Sequence, residues 1–494
     1  PVAEYAPDLP SLAGAATILN VLPRTPQSYG PMAGQSVFST NALDARCQGA
    51  ISGTDSAGNV SVFSGTASKL YRMTVADSTF SDVSKTGGYA CPADENWRFI
   101  LYGSRLIAMN ISDPIQNFVI GTDSAFSDLS SGAPKARYGA VVKGWLMVAN
   151  TNDGTDGAQL QRVWWSALND PTNWPTPGTS TAAEFQSDHI DLAGPGGEIQ
   201  GIVGNLGTAD AAVFLEHEVW RVVNTAPPVT FDFFPAEGLR GTPAPGSIVQ
   251  LGSLVYFLAE DGFYVFDGTM SRPIGANKID KTFYADVDQS FLYKMKGAVD
   301  PINKLIFWVY QSLSANGNPD KCLVYNWSLD RWSLLEFECE TIFRALSFGF
   351  NLDTLDNTGY NVDTLPVSLD SRVWTGGKVL MASFDTSHKL NYFTGDNLAP
   401  TVDTPEMQPI PGLRCNITNS RPIVDGGTPS VTIGVRERQV DSVSFGSASA
   451  LDSTGQCPVR TSGRYARARI TLPAASPFTH ISGIELDVSG AGAR

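Results

Sequence analysis

Pairs of short apolar runs recur along most of the chain, and each pair is separated by a few residues that favour turns. Such a pair is typical of a β-hairpin, because β-branched and aromatic residues favour strands, whereas Gly and Asn tolerate a positive φ in the turn. The turns fall near residues 58, 103, 144, 205, 252 and 303, so neighbouring turns are 45, 41, 61, 47 and 51 residues apart. One four-stranded blade of a β-propeller occupies about 40 to 50 residues. The spacing therefore predicts an all-β fold with a β-propeller of six to seven blades.

A β-sandwich is the alternative fold, since its hairpins also recur. Its strands follow one another every 8 to 12 residues, roughly, without a longer period near 50 residues. A repeated Asp-Pro turn with an aromatic residue a few positions later, as in Asp170-Pro171 with Trp174, favours the propeller. The aromatic ring after such a turn can fill the gap between adjacent sheets. Helical periodicity is nearly absent, and residues 279–295 predict at most a short helix.

The chain is expected to consist of three regions. Residues 1–45 contain six prolines, which keep a chain extended, and predict a Pro-rich N-terminal arm with the first strands, suited to lie on a neighbouring subunit. Residues 46–398 contain the recurring hairpins and are assigned to the propeller. The character of the sequence changes after residue 398, and residues 399–494 predict an additional C-terminal β-sandwich-like domain.

The charge of the chain excludes one class of function. The 494 residues include 34 Lys and Arg and 49 Asp and Glu, which gives a formal net charge of −15. Sequence-independent wrapping of nucleic acid needs many cations that displace counterions from phosphates, and this chain lacks them. With 42% hydrophobic and 17% charged residues the chain can build a large core. Its apolar runs are far shorter than the about 20 residues that cross a bilayer, so no membrane span is expected.

The cysteines and histidines predict neither a metal site nor a disulfide framework. The six cysteines form no CxxC motif and do not cluster with the four histidines, so buried, reduced thiols are expected. A bridge between Cys322 and Cys339, on the two arms of a predicted hairpin, is the alternative. The oxygen-rich loop at residues 150–157 lacks the order of an EF-hand and its closing Glu, and is predicted to be a hairpin tip rather than an ion site. No cofactor is predicted.

One pair of carboxylates is a candidate for catalysis. Glycosidases use two carboxyl groups about 5 to 10 Å apart. Glu216 and Glu218 are two residues apart, so on a strand their side chains would face the same side. Sialidase-type Asp boxes are missing, and a solvated strand face or a turn is the other interpretation. A glycan-binding or glycan-cleaving propeller is therefore the alternative function.

Six arginines are concentrated near the end of this acidic chain. Such a local reversal of charge predicts a face that contacts an acidic neighbour, either an adjacent subunit or an adaptor protein. Ordinary solvated strand positions are the alternative. The arginines are Arg436, Arg438, Arg460, Arg464, Arg467 and Arg469.

Short motifs are spread over nearly the whole chain. They are Asn20-Val21-Leu22-Pro23, Tyr29-Gly30-Pro31, Trp164-Trp165-Ser166 with residues 170–174, residues 261–268, Tyr325-Asn326 with Arg331-Trp332-Ser333, and residues 462–465, 479–485 and 490–494. In these motifs the chain resembles the tail nozzle proteins of short-tailed bacteriophages, also called tail tubular protein B or packaged-DNA stabilisation proteins. The motifs are short and degenerate, and they transfer no individual functional residue.

The resemblance implies a structural, non-enzymatic protein of the virion tail that is assembled in the host cytoplasm. Six copies would surround the tail axis below the adaptor ring, extend the DNA channel and close it until genome ejection. The propeller would lie outside, and the C-terminal domain would form a platform or line the channel. Tail fibres or tailspikes and needle or tip proteins are further expected neighbours. Six chains at −15 each carry −90, which would let DNA pass through the channel without specific binding.

Overall fold

The computed structural model describes residues 2–74, 78–225, 227, 229–349 and 374–491. Regular structure in these residues is almost entirely β, which confirms the all-β prediction. The helical elements are short: α1 (Ser180–Phe185), α2 (Asp280–Asp286) and two 3₁₀ turns at Pro245–Ser247 and Gln289–Lys294. Helix α2 lies in the segment for which at most a short helix was predicted. The last three residues of the motif at 490–494 lie outside the described residues.

The N-terminal segment contributes four short strands, and the next sixteen strands form four antiparallel sheets. The N-terminal strands are β1 (Ile18–Leu19), β2 (Val21–Thr25), β3 (Ser28–Pro31) and β4 (Ser36–Val37). Sheet 1 consists of β5 (Gly49–Thr54), β6 (Val60–Gly65), β7 (Leu70–Thr74) and β8 (Phe80–Asp82), and sheet 2 of β9 (Arg98–Tyr102), β10 (Arg105–Met109), β11 (Gln116–Val119) and β12 (Ser127–Asp128). Sheet 3 consists of β13 (Lys135–Val142), β14 (Trp145–Asp153), β15 (Gly157–Trp165) and β16 (Asp188–Asp191), and sheet 4 of β17 (Ile199–Gly204), β18 (Ala211–Leu215), β19 (Val219–Asn224) and β20 (Phe231–Glu237).

Sheets 5, 6 and 7 come next along the chain, and their strands are again antiparallel neighbours. Sheet 5 consists of β21 (Val249–Leu251), β22 (Leu254–Ala259), β23 (Gly262–Phe266) and β24 (Ser271–Pro273). Sheet 6 begins with β25 (Lys296–Asp300), β26 (Leu305–Tyr310), β27 (Lys321–Asn326) and β28 (Arg331–Glu336). Sheet 7 consists of β29 (Thr341–Leu346), β30 (Val379–Phe384) and β31 (Leu390–Tyr392), and its fourth strand is β4 from the N-terminal segment.

The six predicted turns connect the first and second strands of sheets 1 to 6. Gly103, Gly144 and Gly252 have φ of 62°, 100° and 59°, which is the backbone conformation that the turn residues were expected to supply. The longest interval, 61 residues, spans sheet 3. There β14 and β15 are nine residues long and α1 is inserted before the fourth strand.

The first strands of most neighbouring sheets lie against one another. β5 contacts β9, β9 contacts β13, β13 contacts β17, β21 contacts β25 and β25 contacts β29. The series returns to its start, because β29 of sheet 7 also contacts β5 of sheet 1. Strand β4 pairs with β31, with Val37 opposite Asn391, so the beginning of the chain completes its last four-stranded sheet.

Apolar residues fill each space between neighbouring sheets. One buried cluster joins sheets 1 and 2, and others join sheets 2 and 3, 3 and 4, 4 and 5, 5 and 6, and 6 and 7. A seventh cluster joins sheet 7 to sheet 1, and Phe38 lies in it with Phe384, Val62 and Met73. Strand alternation makes this possible, since successive side chains of one strand point to opposite faces and pack against different neighbours.

The C-terminal strands form two sheets that pack on each other. They are β32 (Thr401–Asp403), β33 (Cys415–Val424), β34 (Ser430–Arg436), β35 (Ser444–Phe445), β36 (Ser449–Ala450), β37 (Cys457–Gly463), β38 (Tyr465–Thr471) and β39 (Ile481–Gly490). β1 pairs with both β28 and β32, so sheet 6 continues through β32, β38 and β34 as one ten-stranded sheet. The second sheet has the order β2, β3, β39, β33, β37. Buried residues of both sheets, such as Ile417 and Ile433, share one cluster.

The N-terminal arm packs on its own chain through several of its residues, and its contact with a neighbouring subunit stays a prediction. Tyr5, Ile18 and Tyr29 are buried in the cluster of sheets 5 and 6. Arg331 holds the arm as well, donating to the Ala3 carbonyl at 2.8 Å and to the Thr25 carbonyl at 3.1 Å. The apolar residues between the prolines explain this packing, since they complete a core within the chain. The boundaries at residues 45 and 398 remain a prediction, and the ten-stranded sheet crosses both.

Candidate functional site

Three of the six predicted interface arginines, Arg436 of β34 and Arg467 and Arg469 of β38, lie on one face of the C-terminal part of the ten-stranded sheet. β34 and β38 are antiparallel neighbours, with Gly434 opposite Arg467 and Thr432 opposite Arg469. Ala466 and Ala468 alternate with these arginines and point into the buried cluster on the other face. The guanidinium groups of Arg467 and Arg469 lie 5.4 and 4.4 Å from the ring centre of Phe445.

These arginines bind buried carboxylates of the same chain. The side chain of Asp403 has no exposed surface, and it accepts hydrogen bonds from Arg469 Nε at 2.7 Å and Nη2 at 2.9 Å. Arg467 lies 3.8 Å from the same carboxylate. Glu406 is also buried and accepts from Arg436 and from Ser11 Oγ. Burial by itself would raise the pKa of Glu406, but the hydrogen bonds from Arg436 and Ser11 outweigh it and hold the pKa below its ordinary value.

The remaining three arginines differ in their surroundings. Arg438 is largely exposed in the loop after β34, where it binds Asp441 at 2.9 Å. Arg460 is exposed on β37. Arg464 follows β37, and its Nε is buried with no acceptor among the described residues. The structure therefore gives four of the six arginines partners within the chain, and Arg438 and Arg460 present the most open surface to a neighbour.

Glu216 and Glu218 lie in the turn between β18 and β19, not on a strand. Glu218 is buried, and its Oε2 accepts from the Trp220 indole nitrogen at 2.9 Å. Glu216 Oε2 accepts from the backbone nitrogen of Glu198 at 3.2 Å. Both carboxylates thus hold the local backbone and an indole of the same sheet, which agrees with the turn interpretation of this pair.

The oxygen-rich loop at residues 150–157 forms the tip of the β14–β15 hairpin, as predicted. Its carboxylates surround Arg162, which contacts Asp156 at 2.6 Å and Asp153 at 3.3 Å. The same guanidinium binds Asp191 through two hydrogen bonds of 2.7 and 3.0 Å. These hydrogen bonds from Arg162 hold the pKa of Asp191 below its ordinary value. Within the described residues, no group of three or more His, Cys, Asp or Glu side chains is placed to hold a metal ion.

All six cysteines are buried free thiols, Cys322 and Cys339 included. Burial raises the pKa of Cys47 to about 12, and burial next to the Glu95 carboxylate also raises that of Cys91 to about 12. A thiolate is the reactive form of cysteine, so burial and the raised pKa both disfavour reaction of Cys47 and Cys91 in the folded protein.

The structure contains a cavity of about 800 Å³ between sheets 2 and 3, which was not predicted from the sequence. Trp164 of β15, Trp174 and His189 of β16 line it, together with the loops at residues 130–135 and 152–156. We refer to it as the Trp164 cavity. Trp174 was expected to fill the gap between adjacent sheets, and it lies in the cluster that joins sheets 2 and 3. The signal that could have found the cavity is this group of tryptophans around the Asp170-Pro171 turn.

No family model matches the chain, and no curated protein does either. Solved structures similar in part include a functionally unknown protein from Desulfotomaculum acetoxidans, with 14% identity over 62% of this chain and 92% of that chain and a TM-score of 0.35. A fungal alcohol oxidase in complex with copper has 12% identity over 92% and 99%, with a TM-score of 0.38. The Neurospora crassa Pan2 WD40 domain has 6% identity over 72% and 94%, with a TM-score of 0.37. These TM-scores are below 0.5, and the likenesses carry no argument about this chain.

In the part of the chain that the structure describes, no helix is long and apolar enough to cross a membrane.

Proposed function

We propose that this chain is a structural protein of the tail of a short-tailed bacteriophage. Six copies would form the nozzle that extends the DNA channel at the distal end of the tail and closes it until ejection. The motifs that resemble tail nozzle proteins support this proposal. The architecture and the charge of the chain support it further, as the next paragraphs set out.

We infer that sheets 1 to 7 are the seven blades of a β-propeller. Each sheet has four antiparallel strands, the first strands of six of the seven neighbouring pairs are in contact, and apolar clusters fill the seven spaces between neighbours. The cluster around Phe38 supports closure of the ring, because it joins the last sheet to the first. Strand β4 also supports closure of the ring, since it pairs the start of the chain with the last blade. We infer also that the two C-terminal sheets form a β-sandwich-like domain.

The observation that carries the functional proposal is the continuity of the ten-stranded sheet. Through β1, blade 6 is hydrogen-bonded without interruption to the C-terminal domain. The second C-terminal sheet contains β2 and β3 of the arm, which pair with β39. Such a connection resists relative motion of the two parts, unlike the flexible linkers that usually join domains. Rigid coupling suits a subunit that must keep a channel closed under load.

The loop between β34 and β35 is a candidate contact with the next subunit. Val440 in this loop is 83% exposed, and Arg438, two residues earlier in the chain, is 75% exposed. An exposed aliphatic side chain and an exposed arginine in one loop are a combination suited to an interface. The acidic surface of an adjacent chain, at −15 overall, would complement this loop.

Electron microscopy and native mass measurement of the purified chain, alone and with its adaptor ring, test the proposal. We expect rings of six, and we expect the double variant Arg438→Glu with Val440→Asp to remain monomeric with an unchanged melting temperature. The variant Arg272→Glu is the matched control, because Arg272, on the outer strand β24 of sheet 5, is similarly exposed and pairs with Asp267 at 3.0 Å. A chain that stays monomeric and never joins tails would refute the proposal.

The glycan-cleaving alternative requires two carboxylates that converge on a substrate. Glu216 and Glu218 instead accept hydrogen bonds from their own chain, so no specific observation favours cleavage by this pair. Glycan binding, the other form of this alternative, would involve other residues, those that line the Trp164 cavity.

A further inference from the structure

We propose that the Trp164 cavity is a binding site for a neutral saccharide. This proposal is independent of the nozzle proposal, since the cavity lies within one chain and needs no second subunit. It rests on the size of the cavity, on two buried polar atoms without partners, and on the balance of charge around them.

The cavity has the dimensions of a ligand site. Its volume of about 800 Å³ falls within the roughly 300 to 1,000 Å³ that is usual for small-molecule sites. Apolar and polar side chains both contribute to its wall. The apolar part is formed by Trp164 and Trp174, whose ring centres are 6.4 Å apart with planes inclined at 72°. The C–H face of a sugar ring packs well against such aromatic surfaces.

Two residues of the wall each carry a buried polar atom that has no partner among the described residues. The side chain of Trp164 is 8% exposed, and its indole N–H is buried with no acceptor. His189 is directly opposite Trp164 in the β15–β16 pair, with the ring centres 5.3 Å apart, and its Nδ1 is also buried without a partner. By contrast, the indole nitrogen of Trp174 donates to the Pro171 carbonyl at 2.7 Å.

Buried polar groups without partners cost stability, about 1 to 3 kcal/mol each, and native proteins keep few of them. A hydroxyl can accept from an indole N–H and can also donate to an unprotonated imidazole nitrogen, so a ligand rich in hydroxyl groups is the class that suits these two residues. The Trp164 indole N–H and His189 Nδ1 therefore favour a ligand group that can both donate and accept a hydrogen bond. Ser130, Ser131 and Asn152 in the same wall add neutral groups of the same type.

The charges around the cavity are already paired, which argues against an anionic ligand. Arg162 is surrounded by Asp153, Asp156 and Asp191. Lys135 donates to the Ser112 carbonyl at 2.5 Å. A phosphate or sulfate would find no cation without a partner among these groups, and it would meet the carboxylates of Asp128, Asp153 and Asp156 in the wall. A neutral ligand with many hydroxyl groups fits these surroundings, and a saccharide is the common biological compound of that class.

The test uses the full chain and a microarray of neutral oligosaccharides of glucose, galactose, mannose and N-acetylglucosamine. Calorimetric titration of the best binder follows, with inorganic phosphate as the anionic probe. We expect at least one neutral oligosaccharide to bind and phosphate not to bind. Failure of every neutral oligosaccharide at millimolar concentration, or preferential binding of phosphate, would overturn the proposal.

Two tryptophan variants locate the site. Trp164→Phe keeps an aromatic ring but removes the N–H, and we expect binding at least tenfold weaker with a melting temperature no lower than that of the parent. Trp165→Phe is the matched control. Trp165 points to the opposite face of β15, where it packs against Phe231 and its indole donates to the Gln186 carbonyl. Equal affinities of the two variants would place the binding elsewhere and refute the assignment, whatever the oligomeric state of the chain.

Discussion

Asp280 carries an energetic penalty at neutral pH that a single substitution should remove. It begins α2 and is 7% exposed, and its Oδ1 accepts from the backbone nitrogen of Phe263 at 3.2 Å. Burial raises its pKa from 3.8 to about 6, and the carboxylates of Asp8 and Asp261 add to the effect. No cation is paired with it among the described residues. We predict that Asp280→Asn, which keeps an acceptor for Phe263 and removes the charge, is more stable than the parent protein at pH 7.

The magnitude follows from the linkage between proton binding and stability. The folded state binds more protons than the unfolded state between pH 3.8 and about 6, so the stability of the parent falls as pH rises through that window. A difference of about two pH units corresponds to about 3 kcal/mol at 1.36 kcal/mol per unit, and screening by nearby solvent reduces it to about 2 kcal/mol. The advantage of the variant should be absent below pH 3.8 and complete above about pH 6.

Urea unfolding at a series of pH values, followed by tryptophan fluorescence, measures this difference. The expected result is a pair of curves that coincide in acid and separate by about 2 kcal/mol at pH 7. Asp280→Ala is the control, since it removes both the charge and the acceptor, and it should gain less than the Asn variant. A constant difference between the Asn variant and the parent at all pH values would refute the account, because it would show that Asp280 does not titrate with a raised pKa.

Three further outcomes are expected. Phe38→Ala removes a buried aromatic ring from the cluster between the last and first sheets and should destabilise the chain by about 3 to 5 kcal/mol in urea unfolding; an unchanged midpoint would contradict the packing on which the proposed closure of the propeller rests. Arg469→Met should cost about 3 kcal/mol, because it leaves the buried Asp403 carboxylate with the more distant Arg467, whereas Arg460→Met should stay within about 0.5 kcal/mol of the parent. A thiol reagent should modify no cysteine of the folded chain and all six in guanidinium, and rapid reaction without denaturant would show that the thiols are not buried.

The local pattern of the sequence predicted the hairpins correctly because both of their signals are short-range. Positive-φ turns such as Gly103 and Gly252 and the apolar runs beside them lie within a few residues of each other. The role of β4 could not be predicted in this way. Ser36 and Val37 pair with Tyr392 and Asn391, more than 350 residues away, and a strand of two residues has no pattern of its own. The packing of the N-terminal arm on its own chain also depends on distant contacts, such as the hydrogen bond from the Tyr29 hydroxyl to the Trp332 carbonyl.

For the candidate sites too, features that lie close together in the sequence could be predicted, and contacts between distant residues could not. Clustering of arginines near the C-terminus was visible, but their partners Asp403 and Glu406 are some 30 to 66 residues away and become neighbours only through the pairing of β32, β34 and β38. The Trp164 cavity was missed because its aromatic residues were interpreted only as packing between sheets. An unpartnered indole N–H is a property of three-dimensional surroundings, and a sequence does not contain it.

Electron cryomicroscopy of tails isolated from virions that contain this chain tests the central claim most directly. The account predicts six copies of the chain around the distal end of the DNA channel, each with a ring of seven four-stranded sheets and with the C-terminal sheets rigidly attached to the sixth. Tails that lack the chain, or that carry it only as a peripheral appendage away from the channel, would contradict the account.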